Sequence, residues 1–342
     1  MRQTLKRWGA GFLALALAAV VAACGGGPAG PEAKPPAALA GDPFAQLAAA
    51  SDKYLKENRP LTIEPAEVLA RAVAGTDQTL YLVDVRTDEH YAQAHIPGAV
   101  HIAYADAWRE AKIAFLPRDK KIVVVDYSGH SASQVAALWN LLGFDAVAMK
   151  HGMGGWSQDK EVIGGSPLAC EAFGYPVVLA ETAAGSYGRP KLETKAGALA
   201  ELITSRSQEA GETPPVIQPK DFKEKLASYY IVDLRQAEHY RAGHIEGAVN
   251  IPFRAVAEPA SLQKLPPDKN IVLVDYDGHA ASQAARLLNQ LGYTVTVLKD
   301  GMSVWSADEK VVGAPSVACI TGEKPTVKLN APLKPGPSTA AT

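Results

Sequence analysis

Residues 122–130 read IVVVDYSGH, and residues 271–279 read IVLVDYDGH, 149 positions further along the chain. Each stretch starts with four apolar residues, as a short buried strand does, and runs into a polar loop that contains a glycine. The residues that follow, 131–142 and 280–291, carry apolar side chains at helical spacing. The sequence therefore predicts the same strand–loop–helix unit twice.

The offset of 149 residues extends well beyond these loops and indicates an internal duplication. It relates Asp84-Val85-Arg86 to Asp233-Leu234-Arg235, and it relates His95 to His244. Further short apolar strands are predicted at 81–85, 146–149, 231–234 and 295–298.

Short strands that alternate with helices favour an α/β fold with mainly parallel sheets. We expect two three-layer α/β/α domains, at residues 43–180 and 216–327. Residues 181–215 are expected to link them and to contain a helix near 196–205.

The start of the chain predicts export and lipid anchoring. Three basic residues precede an apolar run at 12–23 that is too short to span a bilayer. The run ends at Cys24, which three glycines follow, so it resembles a bacterial lipobox with a signal peptide at 1–23. The alternatives are an ordinary signal peptide with a chance cysteine, or an uncleaved anchor. The expected location is the bacterial cell envelope, in the periplasm or at the outer membrane, on a lipid bilayer through Cys24.

Two further segments are predicted to lack a fold. Residues 24–42 are rich in Gly, Pro and Ala and are expected to form a flexible tether, and residues 328–342 a disordered tail.

Several motifs that occur in both copies resemble the signatures of rhodanese-like domains, which belong to the sulfurtransferase family. The stretch 83–86, Tyr91 and the stretch 94–99 match the first signature, and Gly152–Trp156 matches the glycine-rich turn. The resemblance covers residues 62–177 and 217–326, which we name the first copy and the second copy. It implies tandem rhodanese-like domains.

The resemblance implies a catalytic cysteine where this chain carries Asp126 and Asp275. A thiolate at that position would take up sulfane sulfur inside a loop of backbone N–H groups, whereas a carboxylate cannot form a persulfide. Ser131 and Ala280 also stand where the family has a loop arginine. No catalytic residue is therefore assigned. The candidate binding loops comprise Tyr127, Ser128, Gly129, His130 and Ser131, and Tyr276, Asp277, Gly278, His279 and Ala280.

Three hypotheses describe the loop aspartates. The first is that Asp126 and Asp275 accept the loop amides as built-in anions and only stabilise the fold. The second is metal binding, by Asp126 with His130 and by Asp275 with Asp277 and His279. The third makes either aspartate a nucleophile or base toward an oxyanion. We expect the first, and no metal or other cofactor.

The repeated histidine and arginine outside the loops are expected to be structural. His95 and His244 should stabilise turns, and Arg86 and Arg235 should be buried in a polar network near the loop.

Cys170 and Cys319 are the cysteines that remain once Cys24 is lipidated. Outside the cytoplasm two thiols often pair, so a Cys170–Cys319 disulfide is one expectation. Redox-active thiols that replace the missing loop cysteines, or inert side chains, are the others.

We interpret the chain as a membrane-anchored tandem pseudoenzyme. It would be a binding or scaffold module in envelope sulfur, chalcogen-oxyanion or redox processes, with an envelope protein or a small anion as partner. The net charge of −2 gives no reason to expect nucleic acid. The alternative is a sulfurtransferase or thiol-redox enzyme that works through Cys170 and Cys319.

Overall fold

The computed structural model describes residues 39, 41–75, 77–165, 167–168, 171–211, 215–313 and 324–328. Within them, ten strands form two five-stranded sheets, one in each copy. The strands of the first copy are β1 (Thr62–Ile63), β2 (Leu80–Asp84), β3 (Val100–His101), β4 (Lys121–Val125) and β5 (Asp145–Met149). Those of the second copy are β6 (Val216–Ile217), β7 (Tyr230–Asp233), β8 (Val249–Asn250), β9 (Asn270–Val274) and β10 (Thr294–Leu298).

The two sheets have the same topology. The strand order is β1-β5-β4-β2-β3 in the first copy and β6-β10-β9-β7-β8 in the second. Every pairing within them is parallel. The central strands β4 and β9 are the apolar runs of the repeated stretch and are buried on both faces, as strands of parallel sheets usually are. The prediction of two α/β domains with mainly parallel sheets is confirmed.

Helices cover the sheets and connect their strands. In chain order they are α1 (Pro43–Lys56), α2 (Pro65–Val68), α3 (Asp88–Gln93), α4 (Glu110–Ile113), α5 (His130–Leu141), α6 (Lys160–Ile163), α7 (Leu199–Glu209), α8 (Pro219–Glu224), α9 (Ala237–Ala242), α10 (Pro259–Leu262), α11 (His279–Gln290), α12 (Gly301–Trp305) and α13 (Glu309–Val312). One π-helical turn, Leu69–Val73, and 3₁₀ turns at Tyr104–Asp106, Gly152–Gly155, Leu226–Ser228 and Phe253–Ala255 complete the described elements.

The helices α5 and α11 begin one residue earlier than the sequence predicts. Gly129 and Gly278 precede them with φ of +90° and +89°, a left-handed conformation that glycine adopts without a steric penalty. The chain turns at each glycine, so that His130 and His279 become the first helical residues. The linker helix α7 covers 199–209, so it begins three residues later than the predicted 196–205.

The two copies share one apolar core. A single cluster of buried side chains contains Val124 and Trp139 of the first copy together with Leu273 and Leu288 of the second. The opposite face of each sheet has its own smaller cluster, around Trp156 in the first copy and Trp305 in the second. Apolar burial therefore joins the copies along one face of each sheet.

The helix that precedes the first copy contacts the second. The Tyr54 hydroxyl of α1 donates to Gln283 Oε1 of α11 at 2.6 Å. Arg254 Nη1 of the second copy donates to the carbonyl of Leu55 at 3.0 Å. This contact places α1 beside the loop that follows β9.

Several predicted features lie outside the described residues. They are the signal peptide at 1–23, most of the tether at 24–42, all but the first residue of the tail at 328–342, and the cysteines Cys24, Cys170 and Cys319. In the part of the chain that is described, no helix has the length and apolar character needed to cross a membrane.

Candidate functional site

The first loop, residues 126–131, wraps around a buried carboxylate. Asp126 follows β4 and is 1% exposed. Its Oδ1 accepts the Gly129 N–H at 2.5 Å, and its Oδ2 accepts the Ser131 N–H at 2.8 Å. The side chain thus holds the turn together and also binds an amide in the first turn of α5, which a helix leaves without an internal partner.

The second loop, residues 275–280, repeats this arrangement. Asp275 is also 1% exposed, and its carboxylate accepts the N–H of Gly278 at 2.5 Å and of Ala281 at 3.0 Å. In both copies the carboxylate therefore lies at the centre of the amide groups of the loop. The predicted contact of the loop aspartates with the loop amides is confirmed.

The histidine at the start of each helix crosses to the other copy. His130 Nε2 accepts the main-chain N–H of Asp300 at 3.1 Å, and His279 Nε2 accepts that of His151 at 3.0 Å. The two imidazole rings stack with centroids 6.0 Å apart. Since Asp300 and His151 occupy equivalent positions, the two bonds are reciprocal.

The close approach of the loops leaves no room for a side chain at either loop glycine. A Cβ atom at Gly129 would lie 2.3 Å from His279 Nε2, and one at Gly278 would lie 2.2 Å from His130 Nε2. His151 and Asp300, which donate the crossing bonds, have φ of 58° and 57°, a conformation uncommon for residues with a Cβ. Glycine is therefore required by contact with the other copy as well as by φ.

The crossing bonds fix the tautomers of the two rings. Because Nε2 accepts an N–H in each ring, the proton lies on Nδ1, which faces Ser128 Oγ in His130 and Asp277 Oδ1 in His279, each at 3.0 Å. Burial lowers the pKa of His130 to about 3, so this ring is neutral at ordinary pH. For His279, burial acts in the same direction, but the carboxylates of Asp277, Asp275 and Asp126 together outweigh it and raise the pKa. A second proton on His279 would face the His151 N–H and break the crossing bond.

The carboxyl groups of the two loops differ in their electrostatic surroundings. Burial raises the pKa of Asp126, and the amides of Gly129, Ala132 and Ser131 oppose that rise. Burial and the nearby charge of Asp277 raise the pKa of Asp275 to about 7. This raised pKa bears on the first hypothesis, because a protonated Asp275 is no longer an anion.

A cavity of about 410 Å³ opens above the second loop. Asp275, Tyr276 and Ala280 form its loop side, as the sequence predicts for a binding loop. Sequence reasoning missed its opposite wall, which comes from Lys56 and Leu61 before the first copy and from Leu234, Gln236, Pro252, Phe253, Arg254, Ala255 and Glu258. An adjoining hollow of about 310 Å³ reaches Thr62, Asp277, His279 and Gly313.

The cations of this cavity are already paired. Lys56 Nζ lies 3.0 Å from Glu258 Oε1 and also contacts Asp52, while Arg254 Nη1 donates to the carbonyls of Leu55 and Glu57. Both side chains line the cavity from parts of the chain that no loop motif reveals.

The hypothesis of a metal site in the loops finds no matching geometry. Among the described residues, no group of three or more His, Cys, Asp or Glu side chains is placed to hold a metal ion. In the loops, the Asp126 and Asp275 oxygens are bound to amides, and Nε2 of His130 and of His279 to the other copy. These oxygen and nitrogen atoms, which could have bound a metal ion, therefore already accept hydrogen bonds within the fold.

The repeated arginine and histidine outside the loops have the expected structural roles. Arg86 Nη2 pairs with Asp84 at 2.8 Å, and Arg235 Nη2 pairs with Asp233 at 2.6 Å, all four side chains being buried. His95 Nδ1 contacts the carbonyl of Tyr91 at 2.7 Å, and His244 Nδ1 that of Tyr240 at 2.8 Å. These groups support the ends of β2 and β7, next to the loops.

Comparison with known proteins gives a family match in each copy. The family model for the rhodanese-like domain matches residues 64–159 and again 218–308. The chain is 39% identical over 80 residues to YtwF of Bacillus subtilis (strain 168). The aligned region covers 23% of this chain and 76% of YtwF. It is 36% identical over 71 residues to thiosulfate sulfurtransferase PspE of Escherichia coli (strain K12). That match covers 20% of this chain and 66% of PspE. The crystal structure of a thiosulfate sulfurtransferase from Pseudomonas aeruginosa aligns over 77% of this chain and 47% of its own, with 19% identity and a TM-score of 0.27.

The raised pKa of Asp275 predicts a titration near neutral pH. The folded protein holds a proton that the unfolded chain releases near the ordinary value of 3.8. The stabilisation from this proton is complete below about pH 4 and is lost as the pH rises through about 7. Carbon-13 NMR of the Asp275 carboxyl should show a midpoint near 7 in the wild-type protein.

Asp277→Asn is the matched variant, because it removes the neighbouring charge and leaves the Asp275 contacts in place. It should lower the midpoint of Asp275. A wild-type midpoint at or below 4, or a midpoint unchanged in Asp277→Asn, would contradict this account of the second loop.

Proposed function

Since the chain belongs to the rhodanese-like domain family, with one such domain in each copy, we propose that it is a binding module inactive in conventional sulfur transfer. The observation that carries the proposal is the carboxylate at the centre of each loop. Asp126 and Asp275 hold the position that the resemblance assigns to the sulfur-carrying cysteine, and their oxygens already accept the loop amides. A carboxylate has no sulfur to form a persulfide.

The second loop is the better candidate for a binding site. The cavity of about 410 Å³ exposes one side of the loop to solvent and has mixed apolar and charged walls. A small anion would approach the Arg254 side of the cavity, where the guanidinium is bound to main-chain carbonyls, yet it would meet the Asp275 charge above neutral pH. We place the module in sulfur, chalcogen-oxyanion or redox processes because PspE, a relative, is named a thiosulfate sulfurtransferase.

Cell-envelope localisation belongs to the same proposal. It rests on the basic start, the apolar run at 12–23 and the small residues around Cys24. The lipid on Cys24 would hold both copies near a bilayer, and an envelope protein or a small anion would be the partner.

Asp275→Ala should create anion affinity in the second loop. The change frees the N–H groups of Gly278 and Ala281 and removes a negative charge, so thiosulfate or sulfate can occupy the vacated position. Titration calorimetry at pH 8 should show binding at least about tenfold tighter than in the wild-type protein, on the order of the 1.5–3 kcal/mol of hydrogen bonds to a charged group. Lowering the pH from 8 to 6 should improve binding to wild type, because Asp275 gains a proton, and should leave Asp275→Ala almost unchanged.

Asp145→Ala is the control for net charge, since Asp145 is an acid at the start of β5 whose carboxylate pairs with Lys121 at the surface. It should not alter anion binding. If wild type binds thiosulfate as tightly as Asp275→Ala does at pH 8, the loop carboxylate does not act as a built-in anion.

Lipidation at Cys24 predicts a processing defect in Cys24→Ser. Mass spectrometry of wild-type protein from membranes should find a lipid on Cys24 as the first residue, whereas Cys24→Ser should retain residues 1–23. Cys170→Ser serves as the matched control and should be processed normally. A wild-type protein recovered with unmodified Cys24 would refute the anchor.

A further inference from the structure

Each copy carries a groove that holds a short segment from the C-terminal end of the other copy. The first groove is formed by His95 and Trp156, and residues 324–327, the tail strap, lie in it. The second groove is formed by His244 and Trp305, and residues 173–178, the linker strap, lie in it. The straps are therefore exchanged between the copies.

The two grooves bind their straps through the same atoms. The indole Nε1–H of Trp156 donates to the carbonyl of Pro325 at 2.9 Å, and that of Trp305 donates to the carbonyl of Pro176 at 3.1 Å. Two residues later the strap pairs with the groove. Val327 exchanges N–H···O bonds of 2.9 and 3.0 Å with His95, and Val178 exchanges bonds of 2.9 and 3.1 Å with His244.

These contacts define a recognition rule for an extended peptide. The indole selects a carbonyl, and the histidine main chain adds an antiparallel bridge to the strap, as in peptide recognition by strand addition. The straps differ at the other positions, since one reads Tyr-Pro-Val-Val and the other Lys-Pro-Thr-Val. Val327 remains 41% exposed, so the main chain makes the contact and its side chain contributes little. Both straps read Pro-x-Val, and the groove holds each of them through main-chain atoms at the Pro and Val positions.

The two straps are held with different strength. The linker strap also donates from Phe173 N to Val304 at 2.7 Å and from Tyr175 N to Trp305 at 2.8 Å, and the Tyr175 ring packs on Trp305. The tail strap adds two longer contacts, from Lys324 N to Trp156 and from Lys324 Nζ to Gly155, each at 3.3 Å. The linker strap is also continuous with α7 and the second copy, whereas the tail strap follows every other described element. The tail strap can therefore leave without unfolding the rest.

We propose that the first groove is a peptide-binding site for an extended Pro-x-Val segment of a partner protein, closed in this chain by its own tail strap. The site is separate from the loops and does not depend on their ligand. The tail strap competes from within the same chain, so it acts at an effective concentration and not at the concentration of a free peptide. A partner segment gains access when it is abundant or when the tail strap is displaced.

The test uses the full chain with the tail strap displaced by Val327→Pro, which removes the N–H that His95 accepts. The probe is a fluorescein-labelled peptide with the sequence of residues 322–329, followed by fluorescence anisotropy. Val327→Pro should bind it saturably and at least about tenfold more tightly than wild type, because the tethered competitor is gone. A peptide copied from residues 173–180 should compete for the same site.

The first control changes the peptide and leaves the Val327→Pro protein as it is. A probe with proline in place of the residue corresponding to Val327 should lose binding to Val327→Pro protein. Adding Trp156→Phe should weaken the unmodified probe by about threefold to tenfold, the range for one hydrogen bond, whereas adding Trp305→Phe should not. The proposal is overturned if Val327→Pro fails to bind the probe, if it binds both probes equally, or if wild type binds as tightly.

Discussion

The buried contact between each loop carboxylate and the loop amides is the interaction on which the site depends. By accepting the N–H of Gly129, Asp126 closes a turn that only a residue tolerant of positive φ can make. The turn starts α5 at His130, which places that imidazole at the boundary with the second copy. Asp275 has the same consequence for His279. One carboxylate therefore sets the loop, the helix start and the crossing histidine in each copy.

The duplication gives a pair of interlocked copies, each completed by parts of the other. Each strap lies in the groove of the other copy, and each loop histidine accepts a main-chain N–H of the other copy. A single apolar core spans both sheets. The helix α1 adds Lys56 to the wall of the cavity above the second loop. Asp277 is an asymmetry between the copies, because it stands where the first loop has Ser128. An interlocked pair of equal folds can thus still present two unlike loops.

Much of the fold was predictable from the 149-residue offset, because local periodicity and two concordant copies define strands, helices and loops. The role of Asp126 and Asp275 as amide acceptors was predictable too, since it follows from their place before a helix. The crossing contacts of His130 and His279 were not, because their partners lie 170 and 128 residues away. Lys56 and Arg254 were missed for the same reason. The straps carried a signal, since Pro176 and Pro325 obey the same offset, but only the structure shows that each lies on the opposite copy.

The central claim is that a carboxylate has replaced sulfur chemistry in both loops. A thiosulfate:cyanide sulfurtransferase assay on the purified mature protein tests it most directly, with Asp126→Cys/Asp275→Cys protein and a buffer blank alongside. We predict that the wild-type protein forms thiocyanate at the rate of the blank. Thiocyanate formation by wild type at ordinary enzymatic rates would contradict the account, and its loss in Cys170→Ser or Cys319→Ser would assign the chemistry to those cysteines.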